Sequence, residues 1–289
     1  MENGFRGVGR RRLLLIGALT TVLLTGCSTA PILLPPAQQA PAKASGPFEP
    51  PQLSVAANEA NNLAAAYGAQ KRKVDSALMG RAPSGFKAGL TTLAGQQRFG
   101  LRGPVAGVLW PDTGLIFNGD ITEVNRSSFR KPMLEMELAF KINTLIPEQL
   151  ADVSEVQYVV SEIMPAVELP DLGFDSEVGI TGEAIVAANV GARYYVLGAP
   201  LSVDGVDVNA VRARLHHDGK FIERGEATQV MGNQWRALFW MINTLVEQGW
   251  VLQPGQVLLT GAMGEMTPLE AGIYEARFSG LGEIRLQVN

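Results

Sequence analysis

The stretch Leu134-Glu135-Met136-Glu137-Leu138-Ala139-Phe140 constrains the fold more than any other part of the chain. At a period of two, Leu134, Met136, Leu138 and Phe140 fall on one face of a strand and Glu135 and Glu137 on the other. The apolar face must lie on a core, which leaves two carboxylates side by side, about 7 Å apart along the strand. Like charges that close to a core repel unless something neutralises them. Two environments meet that need: the solvated outer face of an antiparallel sheet, or a bound cation. Two further residues bear on the choice. Glu168 supplies a third carboxylate, within Met164-Pro165-Ala166-Val167-Glu168-Leu169-Pro170, and Lys87 lies upstream.

The 289 residues, 46% hydrophobic and 18% charged, are globular in composition and sufficient for one large core or two small ones. A formal charge of −4 and a pI near 5.4 leave no basic footprint, so nucleic acid is not an expected partner.

The N-terminus reads as a targeting segment. Arg10, Arg11 and Arg12 precede an apolar run over 13–25 that is too short to span a bilayer and has the layout of a secretory signal. The run ends in Leu24-Thr25-Gly26-Cys27, which resembles the lipobox of bacterial lipoproteins, and Cys27 is the sole cysteine. The resemblance implies cleavage after residue 26 and lipidation at Cys27, with a membrane contact through the acyl chains only. Ser28, in place of Asp, implies the periplasmic side of the outer membrane. The arginine run also loosely resembles a twin-arginine signal. Residues 27–52 are rich in Pro and Ala and read as an extended tether, and the folded domain is expected over 53–289.

Within that domain, Leu63, Ala66, Tyr67 and Val74 recur at helical spacing in a helix expected over 53–78 and ended by Gly80 and Pro83. Gly85-Phe86-Lys87-Ala88-Gly89 is small and glycine-flanked, so backbone can approach a ligand there with Lys87 as the only charge. Strands are expected at 107–110, 115–117, 134–140, 156–163, 193–198, 203–208 and 211–215, and at 256–259, 273–278 and 283–288. Pro165 and Pro170 bracket Glu168, which predicts a constrained segment beside a sheet. A short helix is expected over 182–189. A longer one begins at the N-cap Asn233, carries Trp235, Leu238, Phe239, Ile242, Leu245 and Val246, and stops at Gly249. Adjacent His216 and His217 sit at the Asp218-Gly219 turn and face opposite ways, a poor chelating pair, and read as surface residues. These elements make an α+β domain with a large, mainly antiparallel sheet system and few helices.

The motifs Ala66-Tyr67-Gly68-Ala69-Gln70, Gly85-Phe86-Lys87-Ala88-Gly89-Leu90-Thr91, Glu135-Met136-Glu137-Leu138-Ala139-Phe140, Pro165-Ala166-Val167-Glu168 and Gly280-Leu281-Gly282 occur in a telling order. That order resembles the 2-keto-4-pentenoate hydratases and 4-oxalocrotonate decarboxylases of the fumarylacetoacetate hydrolase superfamily. The resemblance implies a mixed β-sandwich roll of the fumarylacetoacetate hydrolase C-terminal type, with few helices. It implies that Glu135, Glu137 and Glu168 hold Mg²⁺ or Mn²⁺, hard cations suited to oxygen ligands, and that Lys87 is the active-site lysine. The implied substrate is a small 2-oxo acid, its enolate stabilised by the cation before hydration or decarboxylation. Homo-oligomers are usual in the family.

The chain departs from the family pattern at Val105, at Ala188-Asn189-Val190-Gly191, at Asn233-Gln234 and at Thr260-Gly261-Ala262. Two functions therefore stand at this point: a tethered, metal-dependent lyase, or a catalytically silent lipoprotein that binds a small dicarboxylate or a protein partner. Radiolabelled palmitate supplied to a bacterial host should label the wild-type chain and fail to label Cys27→Ser. Equal labelling of the two would remove the lipid anchor.

Overall fold

A computed structural model of the chain describes residues 48–51, 62–173 and 180–289. The signal segment, Cys27, nearly all of the tether and the first part of the expected helix lie outside the described residues. All described residues belong to one compact unit, Ala40–Asn289. No helix among them is long and apolar enough to cross a membrane.

In chain order the elements are α1 (Leu63–Leu78), β1 (Gly85–Gly89), α2 (Leu93–Arg98), β2 (Val105–Leu109), β3 (Gly114–Ile116), β4 (Thr122–Val124) and β5 (Met133–Ile142). There follow α3 (Val156–Val159), β6 (Val160–Leu169), α4 (Gly182–Ala187), β7 (Tyr194–Leu197), β8 (Leu201–Ser202), β9 (Arg212–His217) and β10 (Lys220–Glu226). The chain closes with α5 (Gln234–Glu247), β11 (Val257–Leu259), β12 (Thr267–Pro268), β13 (Gly272–Phe278) and β14 (Gly282–Val288). One sheet runs β2-β1-β11-β5-β6-β7-β3, with β12 added beside β5 and β8 beside β6. The second runs β10-β9-β13-β14-β4. Most pairings are antiparallel, while β1 with β11, β3 with β7 and β4 with β14 are parallel.

β5 explains why two layers form. Its apolar face, Leu134, Met136, Leu138 and Phe140, is buried in one core with Leu238, Met241 and Ile242 of α5 and with Leu215, Tyr274 and Leu286 of the second sheet. Its other face is not solvated either: Ala139 packs with Met164, Ala166, Leu197 and Leu259 in a smaller apolar cluster. α5 forms where its stripe predicts, and Asn233 caps it by accepting from the backbone N–H groups of Trp235 and Arg236 at 2.9 and 3.2 Å. α1 ends at Met79 and Gly80, both left-handed.

Three expectations need correction. Residues 156–159 are helical, because Asp152 caps a 3₁₀ turn by accepting from Ser154 N–H at 2.8 Å and that turn runs on into α3; β6 starts only at Val160. The strand expected over 203–208 is two successive turns, closed by Val206 N–H on Val203 C=O and by Ala210 N–H on Asp207 C=O, the first passing through Gly205, whose φ is +78°. Ser202 Oγ accepts from Asp204 N–H there, and the apolar spacing came from valines anchoring the turns. Glu168 does not lie beside a sheet: it is inside β6, paired with β5 on one side and β7 on the other. Pro165 is tolerated in so central a strand because β7 pairs residues 166–169 and β8 pairs 162 and 163. Its missing N–H faces the gap between those two strands, and its carbonyl still accepts from Gly198 N–H at 2.9 Å.

The turn after α4 is strained. Asn189, Val190 and Gly191 take φ of 56°, 54° and 67°, and a β-branched residue such as Val190 rarely enters that region. Tertiary hydrogen bonds hold the turn in place. The Asn189 amide accepts from Val108 N–H at 2.7 Å and donates to Val108 C=O at 2.8 Å, satisfying the buried backbone on the edge of β2 that no strand pairs. Gly107 allows the approach, since a Cβ there would stand 2.9 Å from the Asn189 carbonyl. Asn189→Ala removes both bonds from a buried site and is expected to cost about 3 kcal/mol. Urea unfolding should show the midpoint falling with an unchanged slope.

Candidate active site

Four side chains from three strands of the larger sheet meet at one point. Glu135 of β5 is paired directly opposite Glu168 of β6, and Glu137 lies two residues along the same face. One carboxylate oxygen from each lies within 4.8 Å of the others. Lys87, from β1, reaches across β11, its Nζ standing 2.6 Å from Glu168 Oε2 and donating to the Val190 carbonyl at 3.3 Å. Of the two environments the sequence allowed, an open solvated face is ruled out: Glu137 and Glu168 are 0% exposed and Lys87 2%, and Glu135 is half-buried on a cavity wall.

Backbone groups from two segments that depart from the family pattern complete the cluster. Gly261 N–H donates to Glu137 Oε2 at 2.8 Å. Gly261 has a φ of +112°, and a Cβ there would meet Thr91 at 2.5 Å, so the donor is available only because the residue is glycine. Next to it, Thr260 Oγ1 lies 3.2 Å from the Leu138 carbonyl and 2.7 Å from Gln234 Oε1, while Gln234 Nε2 donates to the Ala227 carbonyl. This buried chain ties β11 to the start of α5. Val190, Gly261, Gln234 and Thr260 lie in segments that the sequence marks only as departures from the family pattern, and none is read there as a site residue, because a contact such as that of Gly261 with Glu137, across 124 positions, leaves no local pattern.

Burial dominates the electrostatics. Desolvation pushes the Glu135 carboxyl up to about 7; the Lys87 ammonium pulls it down while Glu168 pushes it further up. Glu137 is raised well above the usual range by desolvation, then by Glu168 and Glu135, against Lys87 and the Gly261 N–H. Desolvation alone would lower Lys87, but the combined field of Glu168, Glu135 and Glu137 outweighs it and holds the ammonium above its ordinary value. Three carboxylates thus share one internal cation. Oε1 of Glu137 and Oε1 of Glu168 are buried without a hydrogen-bond partner. An all-oxygen set with orphaned acceptors and surplus negative charge fits a hard divalent cation.

The cluster opens into a cavity of about 410 Å³, lined by Lys87 and Glu135 together with Leu90, Phe99, Ile185 and Val190 among others. A larger cavity, about 730 Å³, lies between α1 and α5 beside Tyr67 and Trp240 and contains none of the four charged residues. His216 and His217 belong to the second sheet, half-buried, with His217 stacked on Tyr274 at 4.2 Å. They are therefore less exposed than the sequence suggests.

No family model matches the chain. It is 29% identical over 249 residues to 2-keto-4-pentenoate hydratase from Paraburkholderia phymatum, covering 85% of this chain and 89% of that one. Its structure is similar to that of 4-oxalocrotonate decarboxylase from Pseudomonas putida G7, complexed with magnesium and adipate. The TM-score is 0.72 at 22% identity, over 79% of this chain and 86% of that chain. The fold is the fumarylacetoacetate hydrolase type. A more distant neighbour is fumarylpyruvate hydrolase from Pseudomonas aeruginosa in complex with Mn²⁺ and pyruvate, with a TM-score of 0.53 at 17% identity over 70% of this chain and 88% of that chain. The mixed β-sandwich roll with few helices expected from the sequence is the observed fold.

A glutamate with a raised folded pKa binds its proton more tightly folded than unfolded. Its stabilising contribution is complete below the ordinary glutamate value and is lost as pH rises through the folded value, about 7 for Glu135. The metal-free chain should therefore lose stability to urea as pH rises from about 4.5 to about 7. Added divalent cation should release protons and flatten that slope. Stability that instead climbs across this interval in Glu135→Gln-sensitive fashion would mean that the carboxylates are ionised and satisfied without metal.

Proposed function

We propose that the chain is a metal-dependent lyase, a hydratase or decarboxylase acting on a small 2-oxo acid. The observation that carries the reading is the trio of carboxylates, Glu137 and Glu168 buried and Glu135 half-buried on the cavity wall, beside the buried Lys87. The hydratase relative and the decarboxylase of like fold support it. Glu135, Glu137 and Glu168 would hold Mg²⁺ or Mn²⁺, which supplies Lewis-acid stabilisation of negative charge on a chelated 2-oxo group.

This chain's own groups do the rest. Gly261 N–H fixes one oxygen of Glu137 and leaves the other free to ligate. Lys87 is held by Glu168 and the Val190 carbonyl, so its ammonium is a fixed positive charge at the buried end of the cavity, able to orient a carboxylate or to donate a proton. Leu90, Phe99, Ile185 and Val190 keep water from the aliphatic part of a ligand.

A second reading, a binder without turnover, has one observation in its favour. Among the described residues lining the cavity, proton-transfer groups are limited to Lys87, Lys131, Glu135 and Glu265; it has no His, Cys, Ser, Thr or Tyr side chain in its wall.

Isothermal titration of Mg²⁺ and then oxalate, a planar mimic of the enolate, into the full chain tests both. Wild type should bind oxalate only with metal present. Glu137→Gln should lose that binding, and with it about two orders of magnitude or more of any turnover, while keeping its circular dichroism. Metal and oxalate binding with no turnover on any 2-oxo acid tried would favour the silent binder, and no metal binding by folded wild type would end the lyase proposal.

A further inference from the structure

The segment read from the sequence as the end of the tether lies against the domain. A proline-rich spacer behaves as an extended chain, and such a segment orders only where something ties it down. Residues 48–51 are tied down: Pro50 is buried and Phe48 half-buried, while Glu49 between them is exposed. Phe48 stacks on Trp110, with ring centres 5.6 Å apart and planes 24° from parallel, and the Arg81 guanidinium lies 5.7 Å from the centre of the Phe48 ring. The Pro50 carbonyl accepts from Arg193 Nη1.

Both partners lead to one turn. Trp110, just past the end of β2 and 1% exposed, donates from Nε1 to the Ala192 carbonyl at 2.9 Å. Its own carbonyl accepts from Ser84 Oγ at 2.7 Å and Thr113 Oγ1 at 2.9 Å, which anchors it. Arg193, the residue after Ala192, donates from Nη2 and Nε to the Ser128 carbonyl at 2.8 and 3.2 Å. Ala192 and Arg193 follow directly on Asn189-Val190-Gly191, the strained turn whose Val190 carbonyl accepts from Lys87. Asn189 holds the first half of that turn to β2. The second half rests on Asp171 N–H, which donates to the Gly191 carbonyl at 2.9 Å, and on Trp110 and Arg193. One aromatic ring covering another would account for Phe48 on Trp110 as packing alone. It does not account for the stack and the Pro50 contact converging on consecutive residues.

We propose that Trp110 and Arg193 are positioning residues for Lys87, seated by Phe48 and Pro50, so that the end of the tether holds the 189–191 turn in the form that keeps the Val190 carbonyl on the Lys87 ammonium. A left-handed valine persists only where its surroundings over-determine it, and this segment supplies part of that constraint. None of Phe48, Pro50, Trp110 and Arg193 lines the cavity of the carboxylate cluster, so their influence reaches it through the turn. The placement of Lys87 does not depend on what the cavity binds; its use on a 2-oxo acid rests on the reading above.

Two rates measured on the metal-free full chain test the proposal, both by mass spectrometry: amide hydrogen exchange of residues 188–193, and acetylation of Lys87 by sulfosuccinimidyl acetate. Buried Lys87 should react slowly in wild type beside exposed Lys220. Both rates should rise about tenfold in R193Q, the size of one charge-assisted hydrogen bond, and about fivefold in F48A, the size of one aromatic pair. Exchange in α5 and acetylation of Lys220 should stay at their wild-type values, which also reports that the variants are folded. F48Y, which keeps the ring, should match wild type. A wild-type rate at the turn or at Lys87 in either F48A or R193Q, a rise shared by α5, or F48Y as fast as F48A would overturn the positioning role. Oxalate binding with magnesium is read on the same wild-type sample. Its absence would overturn the 2-oxo acid reading, while the two metal-free rates still decide whether the tether end positions Lys87.

Discussion

The buried ion pair between Lys87 and Glu168 is the interaction on which the rest of this structure depends. Moving a carboxylate and an ammonium out of water costs several kcal/mol each, recovered only with close geometry and further hydrogen bonds. Here the geometry is a 2.6 Å contact between β1 and β6, which are held in place through β11 and β5. Two more carboxylates press on the same ammonium, and one cation cannot neutralise three anions. The surplus must be relieved by protons or by a divalent cation, and the raised Glu135 and Glu137 are the proton-bound form of that relief. The destabilising charge and the chemical capacity of the site are therefore one property.

The architecture serves to bring such groups close while opening them to one cavity only through Lys87 and Glu135 among the described residues. β5 carries apolar residues on both faces, so the sheet is covered twice: by α5 and the second sheet on one side, and by the small cluster around Ala139 on the other. The closest approaches are made by backbone. Gly107 lets the Asn189 turn sit against β2, Gly261 lets an amide reach Glu137, and the strained Val190 points its carbonyl at Lys87. Strain of this kind persists only where surrounding contacts over-determine it, and the paired hydrogen bonds between Asn189 and Val108 do so.

Much of this was legible in the sequence, for identifiable reasons. The period-two pattern of 134–140, the caps Asn233 and Gly249, and the Asp218-Gly219 turn are local signals, and all formed as read. Glu135, Glu137, Glu168 and Lys87 were picked out through the order of the motifs, and the structure brings all four together. The misreadings share a cause. Residues 156–159 and 203–208 have β-branched composition, but local caps and turn residues won over propensity. Pro165 argued against a central strand, and no local feature tells that its neighbour strands leave a gap at that one position.

The sequence by itself determined which residues alternate, where helices start and stop, and that two glutamates share a strand face, since each depends on neighbours a few positions away. Tertiary structure alone decided whether that face met water. It paired Glu135 with Glu168, brought Lys87 across β11, and supplied the Gly261 amide and the Val190 carbonyl from remote segments. Burial and pairing are properties of chain segments meeting in space. The same E-x-E pattern is a harmless solvated face at a sheet surface and, between two covered layers, a cluster whose surplus charge calls for a cation.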